Sequence, residues 1–129
     1  MKTATRLLPV IIFLFIPLIL RAGEWESGPP LNTPREGATS VVLNGSIYVL
    51  GGKTNNNTIL NTVEIFDPVN GAWDETSVAP FNIPRFNAAA VVFNGQIYLT
   101  GGRAPSNDVL KKVERYNPAQ NTWVEVQEM

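Results

Sequence analysis

The chain has 129 residues, ten Lys and Arg against eleven Asp and Glu, a net charge of −1, and neither cysteine nor histidine. This length accommodates one small domain at most. Without cysteine there are no disulfides, and without histidine the chain lacks the usual general base, the Ser-His-Asp arrangement and the commonest transition-metal ligand. The composition therefore predicts no metal site and no cofactor.

Residues 1–22 have the pattern of a signal peptide. Lys2 and Arg6 are followed by an apolar run over residues 7–20, and small residues stand at Ala22 and Gly23. A helix of that run would be about 21 Å long, whereas the hydrocarbon core of a membrane is about 30 Å thick. The sequence predicts removal after Ala22 or Gly23, and a secreted or periplasmic product without membrane contact. The alternative is an uncleaved membrane anchor, because a basic residue adjoins the expected cleavage site.

After this leader the charge is negative. Seven Lys and Arg remain against eleven Asp and Glu, which gives 7 − 11 = −4. Nucleic-acid binding requires a basic surface that neutralises phosphates, commonly interleaved with aromatic residues. The sequence predicts no nucleic-acid partner.

One segment recurs fifty residues later without a gap. Its repeated residues are Pro34-Arg35, Ala38, Val41-Val42, Asn44-Gly45, Ile47-Tyr48, Gly51-Gly52, Val63-Glu64, Pro68 and Trp73, matched by Pro84-Arg85, Ala88, Val91-Val92, Asn94-Gly95, Ile97-Tyr98, Gly101-Gly102, Val113-Glu114, Pro118 and Trp123. Self-similarity at this period indicates modules that bury their apolar faces against one another. We divide the chain into the leader, a linker at 23–33, repeat 1 at 34–83 and repeat 2 at 84–129.

Each repeat begins with a predicted β-hairpin. In repeat 1 the apolar runs 38–43 and 46–50 are joined by Asn44-Gly45, which favours the two positive φ angles of a type I′ turn. Repeat 2 has the same pattern around Asn94-Gly95. Near-continuous apolar runs of this length predict inner strands that are covered on both faces.

Paired glycines end the second strand of each repeat, as Gly51-Gly52 and Gly101-Gly102. They permit a close approach of backbone at the interface between modules. The alternative is a phosphate-binding loop, but that would require a following Lys-Ser/Thr and a helix. We interpret these glycines as structural.

The rest of each repeat predicts two further strands. Residues 63–66 (Val-Glu-Ile-Phe) are predicted to form a third strand, closed by a turn with Pro68, and Trp73 opens a shorter fourth segment. The copy of that segment, residues 123–126, alternates apolar and polar side chains, which is typical of an outer strand with one wet face. Each repeat is therefore predicted to be a four-stranded antiparallel meander.

A module of about fifty residues with these motifs resembles the kelch repeat, one blade of a β-propeller. The resemblance implies an all-β fold of two four-stranded antiparallel blades, preceded by a leading outer strand and an N-terminal signal helix. It further implies that the first strand of each blade lines a central channel and that loops at the two rims carry binding. Tyr48, Tyr98, Trp73 and Trp123 would pack between blades.

Two blades do not close a ring, because propellers have roughly four to eight. Trp25 precedes Pro34-Arg35 much as Trp73 precedes Pro84-Arg85, so residues 23–33 are expected to form an outer strand without its own blade. The sequence favours a fragment of a longer propeller. The alternative is that two-blade chains assemble in trans, so the expected partners include further kelch blades in cis or in trans.

Arg35 and Arg85 stand just before the innermost strand of each repeat. They could present a cation to the channel. Because they recur identically, we interpret them as structural, with the guanidinium bound to carbonyl groups or to a Glu of the neighbouring blade. Gly51, Gly52, Gly101, Gly102, Trp73 and Trp123 belong to the same structural set.

Binding residues are expected in the variable loops between the second and third strands, over 53–61 and 103–111. These loops are rich in amides and hydroxyls that suit peptide backbones or sugars. The candidates are Asn55, Asn56, Asn57 and Thr58 in repeat 1, and Arg103, Ser106, Asn107 and Asp108 in repeat 2. The alternative is that both loops are merely solvated.

The predicted function is an exported interaction module that presents its rim loops to a protein or glycan partner without catalysis. The alternative is part of a periplasmic kelch-type sugar mutarotase or epimerase, in which Glu and Arg could do acid/base chemistry. Copper oxidases that resemble galactose oxidase need histidine ligands, which this chain lacks. No catalytic residue is predicted, because Glu64 and Glu114 fall in separate modules.

Overall fold

A computed structural model describes residues 25–128, so the predicted signal peptide lies outside the described residues. The strands are β1 (Thr39–Leu43), β2 (Ser46–Leu50), β3 (Val63–Asp67), β4 (Ala72–Asp74), β5 (Ala89–Phe93), β6 (Gln96–Thr100), β7 (Lys112–Asn117) and β8 (Thr122–Glu128). They form two four-stranded antiparallel sheets, β1-β2-β3-β4 and β5-β6-β7-β8, each a meander. The predicted all-β class and the two four-stranded sheets are confirmed.

Both inner hairpins turn at Asn-Gly. Asn44 and Gly45 have φ angles of 52° and 81°, and Asn94 and Gly95 have 49° and 70°. Two successive positive φ angles define a type I′ turn, whose twist matches that of the strands it joins. The turn sets the register, so that Leu43 pairs directly with Ser46.

The core lies between the two sheets. We call the face of sheet 1 that packs on sheet 2 its back face, the opposite face its front face, and use the same names for the equivalent faces of sheet 2. The back face of sheet 1 contributes Leu43, Tyr48, Leu50 and Val63, and the front face of sheet 2 contributes Ile97, Leu99, Tyr116 and Trp123. Val78 and Phe81, from the segment that joins the sheets, complete the cluster. Tyr48 meets Tyr116 across the interface with ring centroids 6.4 Å apart.

The inner strands are covered on one face only, contrary to the expectation for both repeats. Ile97 is 0% exposed, whereas the equivalent Ile47 is 38% exposed. Leu43 is 4% exposed, whereas the equivalent Phe93 is 61% exposed. Within residues 25–128 each sheet has a neighbour on a single side, so the front of sheet 1 and the back of sheet 2 face outward.

The leading outer strand predicted at 23–33 is wrong for residues 25–33, which pair with no strand, and Trp25 is fully exposed. An outer strand needs a third strand beside it, and none precedes sheet 1 among the described residues. This segment instead crosses sheet 1 as residues 79–83 cross sheet 2. The carbonyl of Pro29 accepts a bond from Trp73 Nε1 at 3.0 Å, and that of Ala79 accepts one from Trp123 Nε1 at 2.8 Å.

A buried ion pair fixes each crossing segment to its sheet. In repeat 1 the Arg35 guanidinium donates to the carbonyls of Gly51 and Thr62, both at 3.2 Å, and to Glu64 Oε1 at 2.6 Å. The Glu64 carboxylate in turn accepts the backbone N–H groups of Asn32 and Thr33 at 2.7 and 2.9 Å. Both side chains are fully buried, so their remaining hydrogen-bonding capacity must be met within the protein.

Repeat 2 has the same arrangement. Arg85 donates to the carbonyls of Gly101 and Lys112 and to Glu114, whose carboxylate accepts the N–H groups of Asn82 and Ile83. Burial lowers the pKa of Arg85, and the charge of Glu114 opposes that shift. The arginines bind carbonyl groups as the sequence predicts, but each paired Glu belongs to the same repeat and not to the neighbouring one.

Backbone hydrogen bonds close the seam between the repeats. Gly52 donates to the carbonyl of Arg85 at 2.9 Å, Arg85 donates to that of Leu60 at 3.1 Å, and Phe81 donates to that of Asn61 at 3.0 Å. A Cβ on Gly51 would lie 2.5 Å from the carbonyl oxygen of Arg85. The first glycine is therefore required by the approach of the crossing segment, as well as by its φ of 61°.

This close approach makes Gly51→Ala more destabilising than Gly71→Ala. Both glycines have nearly the same φ, 61° and 64°, but a Cβ on Gly71 meets nothing within 4 Å. The left-handed conformation alone costs alanine about 1–2 kcal/mol. Overpacking against the backbone should add about 1–3 kcal/mol to the loss of unfolding free energy at Gly51. Urea unfolding of both variants measures the difference, and equal losses would contradict the crowded seam.

Candidate functional site

The loops between the second and third strands of both repeats lie on one rim, together with the ends of the crossing segments. Lys53 forms backbone bridges to Glu36 and to Ile59. Arg103 forms the equivalent bridges to Phe86 and Val109. Each loop is thus attached to the backbone that enters its own sheet, and both loops project from the same edge of the two-sheet unit.

The repeat 1 loop is a tight turn that exposes its polar side chains. Thr54 and Thr58 are joined by a backbone bond of 3.0 Å, and Asn57 donates to the carbonyl of Thr54 at 2.9 Å. Asn57 has a φ of 60°, which asparagine tolerates better than most residues. Because the backbone bonds are made within the turn, the side chains of Asn55, Asn56, Asn57 and Thr58 face solvent.

The repeat 2 loop has the same backbone with different side chains. Ala104 donates to the carbonyl of Asp108 at 3.0 Å, and Asn107 donates to that of Ala104 at 2.8 Å. Arg103 Nη1 donates to the carbonyl of Asn107 at 2.9 Å, and Ser106 Oγ donates to Asp108 Oδ2 at 2.6 Å. Two of the predicted binding residues, Ser106 and Asp108, therefore already bind each other.

Beside the repeat 1 loop lies a shallow cavity of about 270 Å³, lined by Pro34, Arg35, Glu36, Lys53 and Asn55. Lys53 Nζ is 3.0 Å from Glu36 Oε1 and 5.5 Å from the centre of the Phe86 ring, so its ammonium group joins the two repeats. The sequence-based candidates include Asn55 here but not Glu36, Lys53 or Phe86. A usable signal existed, because the repeated Pro-Arg motif is followed by different residues, Glu36 in repeat 1 and Phe86 in repeat 2.

The structure divides the predicted residues into two groups. Asn55–Thr58 and Arg103, Ser106, Asn107 and Asp108 lie exposed on the rim, in two loops rather than one cluster. Arg35, Gly51, Gly52, Trp73, Arg85, Gly101, Gly102 and Trp123 lie along the sheets and at the ends of the crossing segments. Arg35 adjoins the rim cavity, but its guanidinium is fully buried and bound within repeat 1.

The opposite rim has a second cavity, of about 350 Å³, which sequence reasoning missed. It is lined by Ser46, Ile65, Asp67, Asn70, Ala72, Trp73, Asp74 and Ser77. Hydrogen bonds from the backbone and hydroxyl of Thr76, followed by those from Ser77, lower the pKa of Asp74 to about 2. Asp67 accepts bonds from Val69 and Asn70 within its own turn. Both carboxylates thus shape local turns.

The glutamates that recur in both repeats are not available to a substrate. Glu64 and Glu114 are 0% exposed, and the carboxylate of each is bound to an arginine and to two backbone N–H groups. Within residues 25–128 no group of three or more Asp and Glu side chains is placed to hold a metal ion. In the same residues no helix is long and apolar enough to cross a membrane.

Comparison with known proteins agrees with this geometry. Residues 19–129 match the family model described as the KLHDC2/KLHL20/DRC7 Kelch-repeats domain. The chain is 34% identical over 53 residues to F-box/kelch-repeat protein At4g39590 of Arabidopsis thaliana, a match that covers 41% of this chain and 13% of the relative. It is 38% identical over 50 residues to human Kelch-like protein 21, covering 39% of this chain and 8% of the relative. The chain therefore spans only a small part of the length of these relatives.

A solved structure shares the fold. The structure titled "Structure of YjhT" superposes with a TM-score of 0.65 at 20% sequence identity, and the match covers 74% of this chain and 39% of that one. At this identity the likeness concerns the fold alone. The family match covers most of the chain. The matched residues include both repeated hairpins, the glycine pairs and the tryptophans described above. The chain belongs to the kelch-repeat family, and its two sheets are kelch blades.

Proposed function

We propose that this chain is an exported kelch-repeat module that binds a protein or glycan partner through its rim loops. The kelch-repeat domain itself indicates a protein-interaction module. The observation that supports the rim as the binding surface is a contrast between the two repeats. The buried Arg-Glu pairs are the same in both, whereas the exposed loops share a backbone and differ in their side chains.

A rigid backbone with varied side chains is suited to recognition. The loop turns are closed by their own hydrogen bonds, so binding would order few additional backbone angles. Amides at Asn55 and Asn56 each offer donors and an acceptor, which match both peptide groups and sugar hydroxyls. Lys53 and Glu36 add one cation and one anion beside them, which favours a polar partner over an apolar one.

Between the two partner classes, a protein is the better supported. The loops contain no aromatic residue on which a sugar ring could stack, since their exposed residues are Asn, Thr, Arg, Pro, Ser, Asp, Val and Lys. A glycan partner remains part of the proposal, because amides and charged groups also bind sugar hydroxyls. The two classes are separated by the binding experiment below.

Export rests on the pattern of residues 1–22, whose basic start, short apolar run and small residues precede the blades. Expression in a secreting host, followed by mass analysis of the product, tests it. We expect a soluble exported chain that starts at Gly23 or Glu24. A full-length chain recovered in the membrane fraction would contradict export by cleavage and favour an anchor.

The mutarotase or epimerase alternative is less well supported by the described residues. Acid/base chemistry on a sugar needs a carboxyl group that reaches the substrate. The recurrent glutamates are enclosed in ion pairs, and the rim cavity contains a single carboxylate, Glu36, already bound to Lys53. Further blades, in cis or in trans, would have to complete such a pocket.

The rim proposal predicts that binding is lost in the combined variant Asn55→Ala, Asn56→Ala and Thr58→Ala. Asn57 is retained, because its φ of 60° disfavours alanine. Peptides from a displayed random library and glycans on an array, selected with the full chain, are the probes. We expect at least tenfold weaker binding of the selected ligand to the variant.

The matched control is Val69→Ala on the opposite rim, which removes a side chain that is 90% exposed. It should leave the affinity unchanged. Equal binding to the loop variant and the original chain, or the absence of any selected peptide or glycan, would contradict the rim proposal. Selection of glycans without peptides would assign the partner to the carbohydrate class.

A further inference from the structure

Two segments of repeat 1 have the acceptor pattern for N-linked glycosylation, Asn-x-Ser/Thr. They are Asn44-Gly45-Ser46 in the inner hairpin and Asn56-Asn57-Thr58 in the rim loop. Repeat 2 has Gln96 and Asp108 at the equivalent third positions, so neither of its segments has the pattern. The enzyme that reads this pattern acts on chains that enter the secretory pathway. The inference therefore rests on the export part of the proposed function.

The structure encloses the first of these segments within sheet 1. Asn44 and Gly45 form the type I′ turn, and Ser46 begins β2, where it pairs with Leu43. Ser46 is half-buried and lines the cavity on the opposite rim. The hydroxyl that the acceptor pattern requires thus belongs to a paired strand, and an enzyme would have to separate β2 from β1 to bind this segment.

The second segment is exposed over its whole length. Asn56, Asn57 and Thr58 all face solvent at the tip of the rim loop. The bonds that close this turn join backbone groups and the Thr54 hydroxyl, and none of them uses the Asn56 amide or the Thr58 hydroxyl. Both groups that the acceptor pattern requires are therefore open to an enzyme, and no strand has to be unpaired to reach them.

The Asn56 side chain stands beside the rim cavity. Its neighbour Asn55 lines this cavity together with Glu36 and Lys53. The bridges of Lys53 to Glu36 and to Ile59 hold the loop, so the attachment point has a fixed position relative to the cavity. N-linked glycans are bulky and hydrophilic. A glycan on Asn56 would therefore obstruct the part of the rim to which we assign partner binding.

We propose that Asn56 of the exported chain carries an N-linked glycan, which restricts access of a partner to the rim loop of repeat 1. In the transfer step, Asn56 Nδ2 forms a bond to the anomeric carbon of a lipid-diphosphate oligosaccharide. The bond between that carbon and the diphosphate oxygen breaks, Nδ2 loses one of its two protons, and the lipid diphosphate leaves. The repeat 2 loop lacks the pattern and stays without a glycan.

Expression of the full chain in a eukaryotic secreting host tests the modification. We expect a secreted chain with a single N-linked glycan. Peptide-N-glycosidase removes such a glycan and converts the modified Asn to Asp, so the treated chain should lose mass. Peptide mass analysis of the treated chain should then find Asp at position 56 and Asn at position 44.

Matched variants assign the glycan to one segment. Thr58→Ala should abolish the loss of mass, whereas Thr58→Ser keeps the acceptor pattern and should retain it. Ser46→Ala removes the pattern at Asn44 and should leave the loss of mass unchanged. A glycan that disappears with Ser46→Ala and persists with Thr58→Ala would overturn the assignment to Asn56.

A binding measurement tests the effect of the glycan on the rim. The reference is the full chain from a host without N-linked glycosylation, together with the peptide or array glycan selected with it. We expect the glycosylated chain to bind that ligand with an affinity lower by roughly tenfold or more. Equal affinities would contradict restricted access to the rim loop.

The outcomes separate this proposal from the proposed function. A secreted chain without a glycan would overturn the modification and leave export intact. A full-length chain retained in the cytosol would contradict export and the modification together. If the unmodified chain selects no ligand while Asn56 carries the glycan, the rim proposal fails and the assignment of the glycan stands.

Discussion

The two-blade unit depends on a buried arginine that is neutralised by a glutamate of its own repeat. A charged guanidinium is costly in an apolar interior unless its donors are bound, and Arg85 binds two carbonyls of its sheet as well as Glu114. The glutamate then holds the two backbone N–H groups of the crossing segment at 82–83. One ion pair thus joins the segment that leaves blade 1 to the sheet of blade 2.

This arrangement separates the buried contacts that are the same in both repeats from the exposed surface that differs between them. The crossing segment is bound on one side by the Arg-Glu pair and on the other by the backbone of blade 1, so its position is set by both blades. Each rim loop is attached to the end of the crossing segment of its own repeat, by the bridges at Lys53 and Arg103. Because the scaffold orients the loops, their side chains can differ between repeats without altering the fold, which suits a binding surface.

Much of the fold could be predicted from the repeat, because turn chemistry and apolar runs are local. The positive φ angles of Asn44 and Gly45 determine the hairpin turn. The motifs have the same spacing in both repeats, and each repeat forms four strands. Whether a strand face is covered by a neighbouring sheet does not depend on the local sequence. The sequence gives Ile47 and Ile97 the same context, yet only Ile97 meets a neighbouring sheet. Likewise the sequence around Trp25 resembles that of an outer-strand tryptophan, but residues 25–33 form no strand. At the rim, the loop amides were predicted, while the Lys53, Glu36 and Phe86 group depends on contact between repeats.

The most direct test of the central ion pair is urea unfolding of the Arg85→Met variant, monitored by tryptophan fluorescence. Removal of the guanidinium leaves Glu114 buried without its cation, and we expect a loss of about 3–5 kcal/mol in unfolding free energy. The control is Glu125→Gln, which breaks the partly exposed pair with Lys112, 2.6 Å long, and should cost about 0–1 kcal/mol. If Arg85→Met costs no more than Glu125→Gln, the ion pair does not hold the blades as described.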